Sequence, residues 1–406
     1  MKVLMFGWEF PPNNLGGLGT ACYGLTKSLS TKGTEITFVL PKGNQRHDHL
    51  DIITTDDLQI NSDFVRKKYV VSLLMPYQTQ QEYNQAKQYS YLMSGGNIEG
   101  ELYGSNLFEE VERYAQKAEI IAKFEDFDII HCHDWMTFKA GIAAKKISGK
   151  PLVVHVHSTD FDRTGGHPHQ FVYDTEREGM HAADKIITVS NFTREMIVKH
   201  YSISNSKVEV VHNAVEHNLK KKKKSNESDD KIVLFLGRLT LQKGPDYFIE
   251  AADKVLKIRP NTKFIVAGNG EMYRKMVDRA AELGLGRHVL FTGHLTGEDI
   301  NKAYQMADLY VMPSVSEPFG ITPLESLRND TPVLISKQSG VSEVLNNALK
   351  VDFWDIEEMT NKIVGVLSYN SLKSSLVEEG RKDIQKLSWD DAADKCLSVY
   401  GRLINR

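Results

Sequence analysis

The stretch "KVLMFGWEFPPNNLGGLGTACYGL", residues 2–25, decides the fold. It opens on a continuous apolar run, breaks at Pro11-Pro12-Asn13-Asn14, and then sets Gly16, Gly17 and Gly19 within four residues. From Gly17 onward Leu18, Cys22, Leu25 and Leu29 recur on one helical face, and the pattern closes at Gly33. "EITFVLP", beginning at Glu35, is a second apolar run. Strand, turn, helix and strand make a βαβ unit, the building block of a parallel sheet. The glycines allow positive φ and close approach to the backbone, and a helix N-terminus favours anions. GxGxxG is missing and no acidic residue ends the second run, so this is not a dinucleotide fingerprint. A plain turn is one reading. The other, favoured by the position at a strand's carboxyl end, is contact with a phosphate or a sugar.

The rest of the chain keeps this rhythm. Further strands are expected at residues 69–75, 128–131, 152–156, 186–189 and 208–211. The run "LKKKKKSNESDD", residues 219–230, has no apolar periodicity. Five consecutive lysines suit nuclear localisation or anion binding, but a solvated linker is the favoured reading. Alternation then restarts with "KIVLFLG", "KFIVAG", "VLFTG", "DLYVMP" and "PVLIS", with helices over residues 245–258 and 271–283. Near-continuous apolar strands imply parallel sheets covered on both faces. The expected fold is α/β, with two doubly wound domains facing a cleft.

Composition narrows the class. With 406 residues, 41% hydrophobic and 25% charged, the chain reads as an ordinary globular protein of two or three domains. A formal net charge of −3 gives no basic field for nucleic acid. The three cysteines are odd in number and far apart, which argues for a reducing compartment. The N-terminus lacks the features of a signal peptide, and no run approaches the roughly 18 apolar residues of a membrane span. The cytoplasm is the expected location.

Two motifs in the second half carry chemistry. "GRLTLQKG" places Arg238 and Lys243 just after a strand, where two cations suit a diphosphate. GxxxxGK[ST] is missing, so it is not a P-loop. "SEPFGITPLESL" sets Glu317 and Glu325 on either side of seven residues, the second in a helix beginning near Ile321. Carboxylates accept hydrogen bonds from sugar hydroxyls, although one beside a helix N-terminus also serves as a cap. His131 with His133, and His155 with His157, form two HxH pairs at strand ends. Zinc is one reading, since alternate strand residues share a face. No carboxylate or cysteine set stands at a plausible spacing, so no metal is expected. Trp135 and Trp389 are candidates for stacking on sugar, with core packing favoured for Trp389.

These motifs together resemble the retaining glycosyltransferases of family 4, which have the GT-B architecture of two Rossmann-like domains. The shared features are "EPFG" followed by Glu325, "GRL" and "KG", "ADLYVMPS", "LGGLG", "VHSTD", "VSNFTREMI" and "VVHNAV", covering nearly the whole chain. The resemblance implies an N-terminal domain over residues 1–217, a linker over 218–230 and a nucleotide-sugar domain over 231–388, with a last helix at 389–406 packing back on the first domain. It implies that Gly16 and Gly17 face the donor diphosphate and reacting sugar, and that Arg238 and Lys243 clamp the diphosphate. Glu317 would lie by the hexose hydroxyls and Glu325 by the ribose. Gly293 would lie beside the nucleobase, and the amides around Phe319, Gly320 and Ile321 would bind phosphate. His157 would approach the donor sugar. "DFD" triplets, which bind metal in the other major glycosyltransferase architecture, need none here, so neither metal nor cofactor is implied.

"WEFPPNNLGGLG" and "DIIHCHDWMT" also resemble bacterial glycogen and starch synthases, which implies that His133 and Asp134 face the acceptor side of the cleft. Asn14 stands where those synthases carry Lys, and Glu325 where they usually carry Tyr. The polar, tyrosine-rich residues 78–108, including Tyr91, read as an acceptor wall or as a surface excursion. The implied reaction is transfer of glucose from UDP-glucose or ADP-glucose to an α-1,4-glucan. Alternatives are sucrose- or sucrose-phosphate-synthase-like enzymes, surface-polysaccharide transferases, and a non-catalytic sugar-binding module.

Overall fold

The computed structural model describes residues 1–11, 16–41, 47–54, 107–216 and 230–405. Tyr91, the strand expected at 69–75 and most of the linker lie outside the described residues.

Among the described residues, two parallel sheets organise the chain. The first has seven strands in the order β3-β2-β1-β4-β5-β6-β7. These are β1 (Lys2–Phe6), β2 (Glu35–Leu40), β3 (Asp51–Thr54), β4 (Ile129–His133), β5 (Leu152–Val156), β6 (Lys185–Thr188) and β7 (Val208–Val210). The second has six, in the order β10-β9-β8-β11-β12-β13. They are β8 (Lys231–Leu236), β9 (Thr262–Ala267), β10 (Val289–Gly293), β11 (Leu309–Met312), β12 (Val333–Ser336) and β13 (Leu349–Val351). This is the GT-B plan of two Rossmann-like domains. Sequence reading missed β3 and β13. Both are short edge strands, of four and three residues, whose apolar content is too small for a periodic signal.

Strand alternation sorts the first core into two layers. Leu4, Phe6, Ile130, Cys132, Leu152, Val154 and Val156 pack into the cluster that also holds Val111, Tyr114, Phe138 and Met180, from the helices Leu107–Phe124, Trp135–Ser148 and Gln170–Ala182. Their neighbours Val3, Met5, Ile129 and Val153 join Leu18, Cys22, Leu25 and Leu29 of the helix Gly17–Thr31. Ala393, Cys396, Val399 and Tyr400 of the helix Trp389–Ile404 complete that second layer.

The last helix therefore covers the first sheet although its sequence follows the second. Gly24 marks where it docks: a Cβ there would stand 2.2 Å from Trp389 Cε2, so only a bare backbone admits the indole. Trp135 is 3% exposed and also lies in the core. Cys22, Cys132 and Cys396 are buried free thiols.

Candidate active site

The "EPFG" turn lies between the two sheets and is held from both sides. Glu317 forms an isolated parallel bridge with Ser339; its N–H donates to Gln338 O at 2.9 Å, and Gly340 N donates to its carbonyl at 2.8 Å. From the first domain, Ser190 Oγ donates to Pro318 O at 2.5 Å and Thr193 Oγ1 to the same carbonyl at 3.2 Å. Ser316 Oγ reaches Asp162 Oδ1 of the first domain at 2.5 Å. Gly320 takes φ 100°, a conformation that favours glycine, and lets the chain turn into the helix Thr322–Arg328. Phe319 is buried and its carbonyl accepts from Val341 N at 2.7 Å.

Across the seam, the glycine stretch of the first domain meets this turn. A Cβ built on Gly17 would lie 3.8 Å from Ile321 Cδ1, and one on Gly16 would lie 3.9 Å from Glu9 Oε2. Glu9 is 4% exposed, and its Oε2 accepts from Gly19 N at 3.3 Å. Sequence reading did not single out Glu9, although it begins the break that drew attention to the glycines.

Lys243 and Glu317 are the charged centre. Lys243 ends a single 3₁₀ turn, Leu241–Lys243, and Gly244 follows at φ 61° to start the helix Pro245–Ile258. A side chain at Gly244 would put its Cβ 2.3 Å from Pro313 O, so the glycine fixes the approach of this turn to the strand end carrying Glu317. Lys243 Nζ stands 2.5 Å from Glu317 Oε2, with the two side chains 23% and 8% exposed. Ser314 Oγ donates to the same carboxylate oxygen at 3.1 Å. Arg238 is half-buried just beyond β8.

Glu325, on the helix Thr322–Arg328, is half-buried, and Tyr304 OH donates to its Oε2 at 3.1 Å. Burial raises its carboxyl above the usual carboxylate range, although Arg328 and the Tyr304 hydrogen bond oppose the shift. Tyr304, an isolated hydroxyl, had no sequence signal; Ser314 closes the "ADLYVMPS" motif but was not singled out within it. Gly293 ends β10 at φ 71°, its carbonyl accepting from Gly268 N at 2.8 Å.

β4 and β5 of the first domain contribute neutral rings. β4 and β5 pair with His133 opposite His155, so His131, His133, His155 and His157 share one face. His131 stacks on His133 at 4.4 Å and His155 on His157 at 4.2 Å between ring centroids. His133 Nδ1 and His157 Nε2 are 3.0 Å apart, and His131 Nδ1 lies 2.5 Å from Tyr400 OH. Burial keeps all four imidazoles neutral; it pushes His133 down to about 3, and neighbouring histidines add to the effect on the other three.

Asp134 was expected on the acceptor side together with His133. Both are buried, 2% and 0% exposed, so neither presents a surface to an acceptor in this structure. Asp134 instead takes φ 61° and turns its carboxylate under the next loop, accepting from His157 N at 2.6 Å and Ser158 N at 3.3 Å. Its place is to hold the His157 loop. That loop has a second anchor in Glu176, which accepts from Asp160 N at 3.0 Å, Arg163 Nη2 at 2.7 Å and the Tyr201 hydroxyl.

Among the described residues, two groups could hold a metal. The ligand atoms of His131, His133 and His155 lie within 4.8 Å of one another, as do those of Cys22, His133 and His157. Cys22 is the thiol that sequence spacing could not supply, because the helix Gly17–Thr31 brings it to β4 from far along the chain.

Comparison with known proteins fits this geometry. Residues 103–219 match the Glycosyltransferase Family 4 model, and residues 217–383 match the model for glycosyl transferases group 1. A glycosyltransferase of Methanocaldococcus jannaschii is 31% identical, covering 98% of each chain. Glycogen synthase of Mycobacterium tuberculosis is 24% identical over 86% of this chain and 80% of its own. Sucrose-phosphate synthase from Thermosynechococcus elongatus shares the fold, with a TM-score of 0.76 at 17% identity over 100% of this chain and 99% of that one. On this evidence the chain belongs to the family-4, group-1 glycosyltransferases.

Proposed function

We propose that the protein is a retaining hexosyltransferase that moves glucose from UDP-glucose or ADP-glucose to the non-reducing end of an α-1,4-glucan. The observation that carries the donor site is the Lys243–Glu317 pair, 2.5 Å apart beside a turn that faces the glycine stretch of the other domain. A diphosphate competes with Glu317 for the Lys243 ammonium. Once released, the carboxylate is free to accept from sugar hydroxyls. Arg238 and the amides around Phe319, Gly320 and Ile321 add to the positive field on the leaving phosphate, the term expected to dominate the rate. Glu325 holds the ribose, and Gly293 leaves room for the base. Gly16 and Gly17 admit the sugar, and His157, neutral and held by Asp134, stands over it.

Retention follows from attack on the face that the leaving group vacates, with the leaving phosphate taking the acceptor's proton. Supporting the glucan acceptor are the likeness to a glycogen synthase over most of the chain and the synthase-like opening around Glu9. The test is a donor-by-acceptor screen of UDP-glucose and ADP-glucose against glycogen, maltooligosaccharides, fructose and fructose 6-phosphate. Extension of glycogen is the expected result. Transfer only to fructose or its phosphate would move the enzyme to sucrose synthesis, and inactivity on all four would move it to a surface-polysaccharide acceptor. Nucleotide binding without turnover on any acceptor would make it a sugar-binding module.

A further inference from the structure

Beneath His157 lies a cluster that the proposed transfer does not use. His131, His133 and His155 are 0%, 0% and 2% exposed, on one face of β4 and β5 and under the helix that carries Cys22. His131 Nε2, His133 Nε2 and both ring nitrogens of His155 are buried with no hydrogen-bond partner among the described residues. Folding does not leave so many polar atoms unpaired in one place without something to pair them.

We infer that His131, His133 and His155 bind a divalent transition-metal ion, and that Zn²⁺ is the ion they suit. Two observations select a metal over a dry histidine ladder. The three ligand atoms gather within 4.8 Å of one another, and the stacked rings must turn for their nitrogens to converge at the roughly 2.0–2.1 Å at which imidazole binds zinc. The remaining nitrogens of two of them are already anchored: His131 Nδ1 is 2.5 Å from Tyr400 OH, and His133 Nδ1 is 3.0 Å from His157 Nε2. Such outer hydrogen bonds orient metal-bound imidazoles. The alternative set of Cys22, His133 and His157 is weaker, because its two imidazoles are already joined to each other. Imidazole ligands suit Zn²⁺ among several divalent transition-metal ions, and Zn²⁺ is the redox-silent one of them. Placed there, the ion ties β4, β5 and, through Tyr400, the last helix into one unit.

The test needs no transfer assay, so its outcome is separate from that of the proposed reaction. The full chain is purified without metal-affinity resin from zinc-supplemented cells and analysed for metals. About one zinc per chain is expected. Removing it under denaturing conditions and refolding with Co²⁺ should give the visible d–d absorption of a nitrogen-liganded ion. His155→Gln should abolish that absorption, and Tyr400→Phe should weaken binding about 10–100-fold. If the histidine variant does not fold, zinc content and the Co²⁺ spectrum of the wild-type chain decide alone. A wild-type chain that folds metal-free, shows no Co²⁺ absorption and gains no thermal stability from Zn²⁺ would overturn the inference, leaving the nitrogens to buried water.

Discussion

The two sheets follow the same βα rhythm but end differently where they meet. At the ends of the second sheet stand charges: Lys243 paired with Glu317, and Arg238 close by. At the ends of β4 and β5 stand neutral rings, and the buried carboxylate of Asp134 turns onto the backbone of the loop that follows. Under the proposed transfer the difference is a division of labour. A diphosphate is a large negative charge and needs mobile, half-exposed cations. A sugar undergoing transfer needs a dry, rigid wall, and neutral buried groups supply it without adding competing charge. Neither half is complete without the other, which is why the "EPFG" turn is hydrogen-bonded from the first domain as well as the second.

The largest test of that contrast is on the charged side. Lys243→Ala should lose roughly 2–4 kcal/mol of transition-state stabilisation, seen in kcat/KM for nucleotide-sugar consumption. Glu317→Ala should be comparably damaging, and the double variant should lose less than the sum, because the two groups touch. An additive pair, or near-normal turnover with intact folding, would break the assignment.

The neutral side should show itself in pH dependence. Burial pushes the Glu176 carboxyl up to about 7 from an ordinary 4.5, with Arg163 and the Tyr201 hydroxyl opposing the rise. Between those values the unfolded chain has lost the proton and the folded chain keeps it. Folded stability should therefore fall as pH rises through this window, by on the order of 3 kcal/mol at most. Urea midpoints measured across it should fall for the wild type and stay flatter for Glu176→Gln.

Smaller effects are expected where the halves join. A Cβ at Gly340 would stand 2.1 Å from Pro318 O and 2.5 Å from Ser190 Cβ, so Gly340→Ala should cost about 1–3 kcal/mol in chemical denaturation. Ser190→Ala removes both the bond to Pro318 O and the cap on the helix Asn191–Tyr201. It should cost about 1 kcal/mol, read as a small drop in Tm.

What was legible in the sequence was what is local. The glycine turn, the helix face of Leu18, Cys22, Leu25 and Leu29, and the second-domain motifs all sit within short windows whose periodicity or chemistry is visible. What was not legible depends on distance along the chain. Cys22 joins His133 and His157 only because the first helix crosses β4. Tyr400 reaches His131 only because the last helix returns to the first sheet. Asp134 was expected to face the cleft because "DIIHCHDWMT" resembles the glycogen and starch synthases. Its positive φ, which turns the carboxylate inward, leaves no trace in residue type.

The central claim is that the charged ends of the second sheet hold the donor diphosphate. Titration calorimetry of UDP and ADP against the wild type and an Arg238→Ala/Lys243→Ala variant tests it without an acceptor. We expect one of the two nucleotides to bind the wild type, and to bind the folded variant at least about tenfold more weakly, since charge-assisted contacts to phosphate are lost. Equal affinity in the two proteins, with the variant shown to be folded, would contradict it.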